Sequence, residues 1–181
     1  IDGVPTNLSG SWDYVRSGPP SGYSSTTIDA INYSVAPHWC VALHANKGIT
    51  FDLAPLREFH SFQKMTFKTV VGHVGEKGKS TLDVTIYVDG QQVSQHIGIK
   101  AQQAGIPIRL ELNPSSQFLT FLVTQGLDGI SHDQAILGDA RFEIDPDEPF
   151  LNSIAVKIAA LDKQLLTLEK QIDDLPSLED D

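Results

Sequence analysis

The sequence predicts an all-β domain, either a sandwich or a barrel, followed by one C-terminal α-helix. From about residue 27 to residue 145, short segments alternate apolar and polar residues between turn residues, which is typical of half-buried strands. After residue 146 the apolar residues change to the spacing of an amphipathic helix. About eight or nine strands at this spacing, with no helix between them, indicate two packed sheets or a closed barrel.

The clearest strand signals lie in the second half of the body. Segment 82–88 places Leu, Val, Ile and Val at alternate positions. Asp89-Gly90 follows at once and predicts a tight hairpin with segment 91–97, because these two residue types tolerate the left-handed backbone of a two-residue turn. Segment 118–123 is almost continuously apolar and predicts a further strand.

The chain divides into four parts by composition. Residues 1–26 are rich in Gly, Ser, Pro and Thr and predict an extended arm. Residues 27–145 form the predicted β body, and residues 146–175 form a helical tail. Residues 176–181 predict a disordered acidic end.

The helical tail carries an apolar seam of coiled-coil type. Its apolar residues are spaced alternately four and three apart, as in the a and d positions of a heptad repeat. One interpretation is a helix docked on its own domain. The favoured one is a coiled coil that forms a homodimer or contacts the parent protein, because three heptads alone are marginally stable. The seam residues are Ile154, Ile158, Leu161, Leu165, Leu168 and Ile172.

Charge and hydropathy exclude several classes of function. The net charge is −10, of which the stretch from Asp145 to Asp181 contributes −7. No basic stripe is present, which argues against nucleic-acid binding. No apolar run is long enough for a membrane span, and no signal peptide is visible. The chain begins at Ile1 rather than Met, which suggests a piece of a longer precursor.

The residue types that support catalysis or metal binding occur without the required spacing. The six histidines show no H-x-x-x-H pair, and there is no G-x-S-x-G motif. The single cysteine, Cys40, predicts a buried thiol. Asp139 and Arg141, two apart on one strand, predict an ion pair or a contact at a site's rim. The sequence therefore predicts no enzyme and no cofactor, although the loop holding Asp128 and Asp133 leaves a structural calcium ion open.

Three stretches of the body resemble one known family. His44-Ala45-Asn46 with Phe51-Asp52-Leu53 is the first, and Val70-Val71-Gly72 with the Asp89-Gly90 hairpin is the second. The third runs from Leu122 to Arg141 and includes Asp128-Gly129 and Asp133-Gln134-Ala135. In this order they resemble the novel carbohydrate-binding module family associated with family 98 glycoside hydrolases, over about residues 27–145.

This resemblance implies a galactose-binding-like jelly-roll sandwich that binds glycans through loops at one end, without catalysis. It also implies a secreted bacterial protein that is extracellular, periplasmic or in the cell envelope. The family's motif tryptophan is Leu137 here, so aromatic stacking is expected from Trp39 or Tyr23. An alternative is a scaffold module that has lost sugar binding and assembles through its helix. The predicted carbohydrate-binding residues are His44, Asn46, His73, Asp128, Asp133 and Gln134.

Overall fold

The computed structural model describes residues 15–17, 23, 25–59, 62–146 and 148–173. In these residues eleven strands and two helices follow one another along the chain. The strands are β1 (Val15–Ser17), β2 (Thr27–Ile28), β3 (Ile31–Asn32), β4 (Cys40–His44), β5 (Lys47–Asp52), β6 (Phe62–His73), β7 (Thr81–Val88), β8 (Gln91–Lys100), β9 (Ile106–Leu112), β10 (Phe118–Gln125) and β11 (Gln134–Pro146), and the helices are α1 (Ala54–Phe59) and α2 (Glu148–Asp173).

Two antiparallel sheets form the body. One sheet has five strands in the order β1-β4-β11-β6-β9, and the other has four in the order β5-β10-β7-β8. Strands β2 and β3 pair separately as a short two-stranded ribbon. Neighbours in each sheet are often distant in the sequence, because the chain crosses repeatedly between the sheets. The predicted all-β sandwich is confirmed, and the barrel alternative is wrong.

Aromatic rings fill the space between the sheets. Phe67 on β6 and Phe121 on β10 come from opposite sheets, and their ring centroids are 5.3 Å apart. Phe142 on β11 packs edge-on against Phe67 at 4.9 Å. The tilted and edge-on geometry is the one that aromatic quadrupoles favour. Burial of a side chain of this size stabilises the fold by roughly 1.5–3 kcal/mol.

The predicted β7–β8 hairpin is present. Asp89 and Gly90 have φ angles of 50° and 79°, and Val88 pairs with Gln91 across the turn. A left-handed backbone at both central positions is the type I′ turn, whose twist matches that of the flanking strands. The Asp89 carboxylate also accepts hydrogen bonds from the backbone N–H groups of Gln117 and Phe118, at 2.7 and 2.8 Å. The hairpin is therefore attached to the start of β10.

The expectation that no helix separates the strands is wrong. Helix α1 lies between β5 and β6 and has six residues. The Asp52 carboxylate accepts a hydrogen bond from the Ala54 N–H at 2.9 Å, and Pro55 lies in the first turn. Both are ordinary helix-start signals. These signals were missed because Asp52 also continues the apolar–polar alternation of strand β5.

The tail forms one long helix, α2, and its side chains from 151 to 172 are all exposed. The seam therefore does not pack on the sandwich, and coiled-coil pairing stays a prediction. In the part of the chain that the structure describes, no helix is long and apolar enough to cross a membrane. Most of the predicted arm and the predicted acidic end, 176–181, lie outside the described residues.

The predicted ion pair between Asp139 and Arg141 is wrong. Asp139 instead lies 2.7 Å from the Nδ1 atom of His38, and its other oxygen accepts the Trp39 N–H at 3.1 Å. The Arg141 guanidinium contacts Glu143 at 3.0 Å and the Asp139 carbonyl at 3.3 Å. A register shift in β11 after Gly138 and a left-handed φ of 49° at Asp139 explain the difference, because the bulge turns the carboxylate away from its strand neighbour.

Candidate functional site

The six predicted site residues lie at one end of the sandwich. Strands β4, β6 and β10 all end there, and β11 begins there. Gln134, the first residue of β11, pairs with His44, the last residue of β4. Ala135, the next residue, pairs with His73, the last residue of β6. The sheet register therefore places residues 44, 73 and 134 side by side across three neighbouring strands.

Asn46 joins this end to the other sheet. It is the tip of the β4–β5 turn and has a left-handed φ of 60°, which Asn tolerates better than most residues. Its side-chain amide donates to the Gln125 side-chain oxygen, and its oxygen accepts the Gln125 N–H, both at 3.3 Å. These two contacts attach the turn to the end of β10. Asn46 therefore supports the loops of this end.

His73 is a buried histidine with partners on both ring nitrogens. Its Nε2 lies 2.8 Å from the Ser80 hydroxyl, and its Nδ1 lies 3.1 Å from the Gln134 carbonyl. Gly75 N–H also donates to Nδ1 at 3.1 Å. Burial lowers the pKa of His73, and burial together with the charge of His132 lowers the pKa of His44.

The loop after β6 passes so close to the His73 ring that only glycine fits at position 75. A Cβ atom there would meet the His132 carbonyl oxygen and would lie 2.6 Å from the ring. Glycine is therefore required for packing here. The loop of residues 74–80 therefore passes close to the β10–β11 loop at Gly75.

Asp133 is the most unusual residue of the group. It is fully buried, and neither carboxylate oxygen has a hydrogen-bond partner among the described residues. Burial raises the pKa of Asp133 to about 7, the charges of Asp128 and Asp83 add to this, and the nearby Ser80 hydroxyl opposes it. A buried carboxyl without good partners is costly, which makes it a feature that a functional or stability role must explain.

Asp128 is the one predicted site residue that is open to solvent. Its Oδ1 atom accepts hydrogen bonds from the Thr81 N–H and hydroxyl, both at 3.3 Å. Asp128 lines a cleft of about 370 Å³ together with Ser80, Thr81, Lys77 and Lys100. That volume lies within the roughly 300–1,000 Å³ that is usual for small-ligand pockets. Ser80, which contacts His73, connects the cleft to the buried residues.

The structure thus brings the six residues to one end but divides them into two groups. Five are at most 7% exposed and form a support beneath the surface: His44, Asn46, His73, Asp133 and Gln134. Asp128 alone faces the cleft. The expectation that all six offer polar atoms to a ligand stays a prediction, and only Asp128 is exposed enough to contact one directly in this geometry.

Sequence reasoning missed the residues that line the cleft beside Asp128. Lys77, Ser80 and Thr81 come from the β6–β7 loop and the start of β7, whereas Lys100 is the last residue of β8. No local motif connects these positions. They meet because the sheet register pairs Thr81 with Lys100.

Of the two aromatic residues expected to stack on a sugar, the structure excludes one from this end. Trp39 precedes β4, so it lies a whole strand away from His44, roughly 16 Å at the usual rise per residue. The Tyr23 hydroxyl, by contrast, donates to the Leu43 carbonyl at 2.8 Å, next to His44. Leu137, which stands where the family has tryptophan, is fully buried in the core and cannot face a ligand.

Metal ligands do not cluster in the part of the chain that the structure describes. No group of three or more His, Cys, Asp or Glu side chains among those residues could hold a metal ion. Asp128 and Asp133 lie in one loop, yet one is exposed and the other is buried.

The comparisons agree with this architecture. The chain superposes on a CBM51 module of a Clostridium perfringens GH95 protein in complex with methyl-galactose, with 20% identity, a TM-score of 0.51 and coverage of 62% of this chain and 72% of that one. Tandem CBM51 modules of a Streptococcus pneumoniae family 98 glycoside hydrolase give 16% identity, a TM-score of 0.55 and coverage of 72% and 41%. The CBM51-2 and INT domains of C. perfringens ZmpB, in complex with GlcNAc, give 19% identity and a TM-score of 0.57, with coverage of 75% of this chain and 28% of that one.

At these identities the three structures establish a shared fold. This chain spans less than half of the pneumococcal chain and of the ZmpB chain. No curated protein matches the sequence. The NPCBM/NEW2 domain family matches residues 41–143, more than half of the chain, as the resemblance predicted. This chain therefore belongs to the NPCBM/NEW2 domain family.

Proposed function

We propose that this domain is a non-catalytic carbohydrate-binding module whose sugar site is the cleft beside Asp128. The observation that carries the proposal is the meeting of Asp128, Ser80 and Thr81 in one cleft at the loop end of the sandwich. The exposed Asp128 carboxylate and the half-buried Thr81 hydroxyl supply acceptors and a donor that sugar hydroxyls require. The buried Ser80 hydroxyl holds the floor of the cleft through His73. The five buried residues of the predicted site hold the surrounding loops in place.

The described residues favour binding over catalysis. His73 and Ser80 form a Ser–His contact, but Nδ1 of His73 faces the Gln134 carbonyl and the Gly75 N–H. A nucleophilic serine needs a histidine that a carboxylate orients through this second nitrogen. Both residues are also almost fully buried. The contact therefore serves the architecture of the loops.

The biological setting is part of the same proposal. We infer that the domain belongs to a larger secreted or envelope protein, extracellular or periplasmic, which it directs to glycans. The structural relatives support this, since two of them are modules within much longer chains. Their complexes with methyl-galactose and GlcNAc make galactose-containing glycans and N-acetylated sugars the first ligands to test here.

A glycan array followed by calorimetry tests the proposal. The intact chain should bind with a Kd of about 0.1–1 mM, because the cleft has no stacking aromatic among its described lining. Asp128→Ala should abolish binding and leave the melting temperature unchanged, since this exposed side chain makes only long hydrogen bonds. The matched control is Glu111→Ala, which should bind normally. Glu111 is an exposed carboxylate near the end of β9, at the end of the sandwich away from the cleft. Absence of binding to any glycan would overturn the proposal.

A second candidate function is assembly through α2. The observation that favours it is the exposed apolar seam, on which Leu161 and Leu165 are 63% and 55% exposed. We propose that this seam pairs with the same seam of a second copy, because a heptad repeat is complementary to itself. Contact with another part of the parent protein is the competing outcome. A scaffold that assembles in this way and binds no sugar is the alternative to the module above.

A further inference from the structure

The cleft beside Asp128 has a positive side that the sugar-binding proposal leaves unused. Lys77, in the β6–β7 loop, and Lys100, at the end of β8, both line it. They are 23 positions apart in the sequence, and the pairing of β7 with β8 brings their two loops to the same cavity. Two lysines from separate elements thus line one cleft of about 370 Å³.

Neither lysine is neutralised in the described part of the chain. No carboxylate there lies within ion-pair distance of Lys77 or Lys100, whereas Lys68 and Arg141 both pair with Glu143. The whole chain has a net charge of −10, so unpaired cations at a cavity stand out from the general charge balance. Surface lysines are usually solvated, but a cavity with low-dielectric walls concentrates their field on whatever enters it.

Among the described residues, the one carboxylate that lines the cleft is that of Asp128, and it already has hydrogen-bond donors within the protein. The Asp128 carboxylate accepts two hydrogen bonds from Thr81, one from the backbone and one from the hydroxyl. It has further lone pairs to accept sugar hydroxyls. It also repels a simple anion, so the cavity suits a ligand that carries both hydroxyls and one negative group.

We infer that the cleft binds an anionic sugar residue, a pyranose with a carboxylate or sulfate group held by Lys77 and Lys100 and hydroxyls held by Asp128. The inference rests on the proposed sugar-binding function and specifies its ligand class. The ammonium groups act as point charges, which suits either anionic group. The hydroxyl contacts to Asp128 and Thr81 are what distinguish the ligand from a free anion.

Matched sugar pairs test the inference with the intact chain. The first pair is methyl galactoside and methyl galacturonide, and the second is methyl glucoside and methyl glucuronide, each differing only at C6. The acid of the preferred pair should bind about five- to tenfold tighter than the neutral sugar in about 0.01 M salt, as two exposed ion pairs permit. The advantage should nearly vanish in about 1 M salt. The 6-sulfate of the neutral sugar shows which anionic group is preferred.

Variants locate the effect. Lys77→Gln with Lys100→Gln should remove the preference for the acid, so that the acid and the neutral sugar of the pair bind the variant with the same Kd. Lys79→Gln lies in the same loop as Lys77 but outside the cleft lining, so it should retain the preference. Both lysines of the double variant are exposed, so melting temperatures should match the parent's.

The other possible outcomes contradict either the inference alone or the proposed function as well. If neutral sugars bind and their acids bind equally or worse, the inference is wrong and the proposed function stands. If the preference for the acid survives in the double variant, the anion binds elsewhere and the cleft is misassigned. If sodium sulfate competes as strongly as the sugar acids, the cavity is an anion site only. If none of these sugars binds but the glycan array shows binding, the inference is wrong and the proposed function stands; if the array shows no binding either, both fail.

Discussion

The sandwich and the C-terminal helix use apolar residues in opposite ways. In the sandwich Phe67 and Phe121 are at most 1% exposed, while Leu161 and Leu165 on α2 are more than half exposed. Both regions follow a clear hydrophobic period, of two residues in the strands and about three and a half in the helix. A regular period therefore marks an apolar face, without showing whether that face is covered or by what.

The physical difference is the number of partners available within the chain. Each sheet of the sandwich covers the other, so its apolar faces are buried intramolecularly. Helix α2 has no such partner among the described residues, and an isolated helix with three heptads is marginally stable in water. The sandwich should therefore depend on its own core, and the helix on an outside surface.

Replacement of one residue in each region tests this contrast most strongly. Phe67→Ala should lower the free energy of unfolding by about 3–5 kcal/mol, because it leaves a cavity at the centre of the aromatic cluster. Leu161→Ala should leave the unfolding of the sandwich unchanged. Chemical denaturation followed by near-ultraviolet circular dichroism measures both. Equal effects of the two changes would show that the helix is part of the same cooperative unit.

The buried carboxyl of Asp133 should make sandwich stability depend on pH. Its pKa is raised from 3.8 to about 7, so the folded state binds more protons than the unfolded state between these values. Stability therefore falls as the pH rises through this window, by on the order of 4 kcal/mol at most. The lowered pKa values of His44 and His73 give the opposite slope below their ordinary value of 6.5.

Asp133→Asn separates these contributions, because it removes the titrating group and keeps the shape of the side chain. The variant and the parent should have similar stability near pH 4, and the variant should be the more stable at pH 8. The histidine contributions are present in both proteins and cancel in the difference. Thermal unfolding from pH 4 to pH 8 provides the measurement. A constant difference across that range would show that Asp133 titrates normally.

The fold was more predictable from the sequence than the site because the two depend on different information. Alternation in segment 82–88 and the Asp89-Gly90 turn are local patterns, and β7, β8 and their hairpin follow from them. Helix α1 was missed although Asp52 and Pro55 mark its start, because a six-residue helix is too short to show a period.

The site depends on register, which no local pattern contains. Asp133 and Asp128 look equivalent in the sequence, five positions apart in one loop, yet one is buried and the other lines the cleft. Lys100 belongs to the cleft because it pairs with Thr81. The sequence resemblance pointed to one end of the sandwich, because its motif residues lie at strand ends. It could not show which of them face solvent.

Charged residues in the apolar seam of α2 test whether this seam forms a contact between two chains. Leu161→Asp combined with Leu165→Asp should convert a dimer into a monomer, because two carboxylates would face an apolar contact between chains. The same change should leave the melting temperature of the sandwich unaltered, since both side chains are exposed in the single chain. Sedimentation equilibrium and thermal unfolding provide the two readouts.

The control for this change is Lys163→Asp, which alters charge between the two seam positions and should preserve the dimer. A parent chain that is already monomeric would contradict pairing with a second copy and favour contact with another part of the parent protein. A double variant that fails to fold would contradict the independence of the sandwich from the helix.

Removal of the tail should have the smallest effect of all. A chain that ends after Asp145 lacks α2 but retains nearly all of β11, and its β-type unfolding transition should stay cooperative, within about 0.5 kcal/mol of the parent's. A chain that ends after Ala140 is the contrasting case. It loses Phe142, whose ring lies 4.9 Å from that of Phe67, and the strand pairs that join β11 to the first half of β6. The chain that ends after Asp145 should fold, and the chain that ends after Ala140 should not. The reason is that the boundary of the cooperative unit lies where the core contacts end rather than where the helix ends. Loss of the transition in the longer chain would place α2 within that unit.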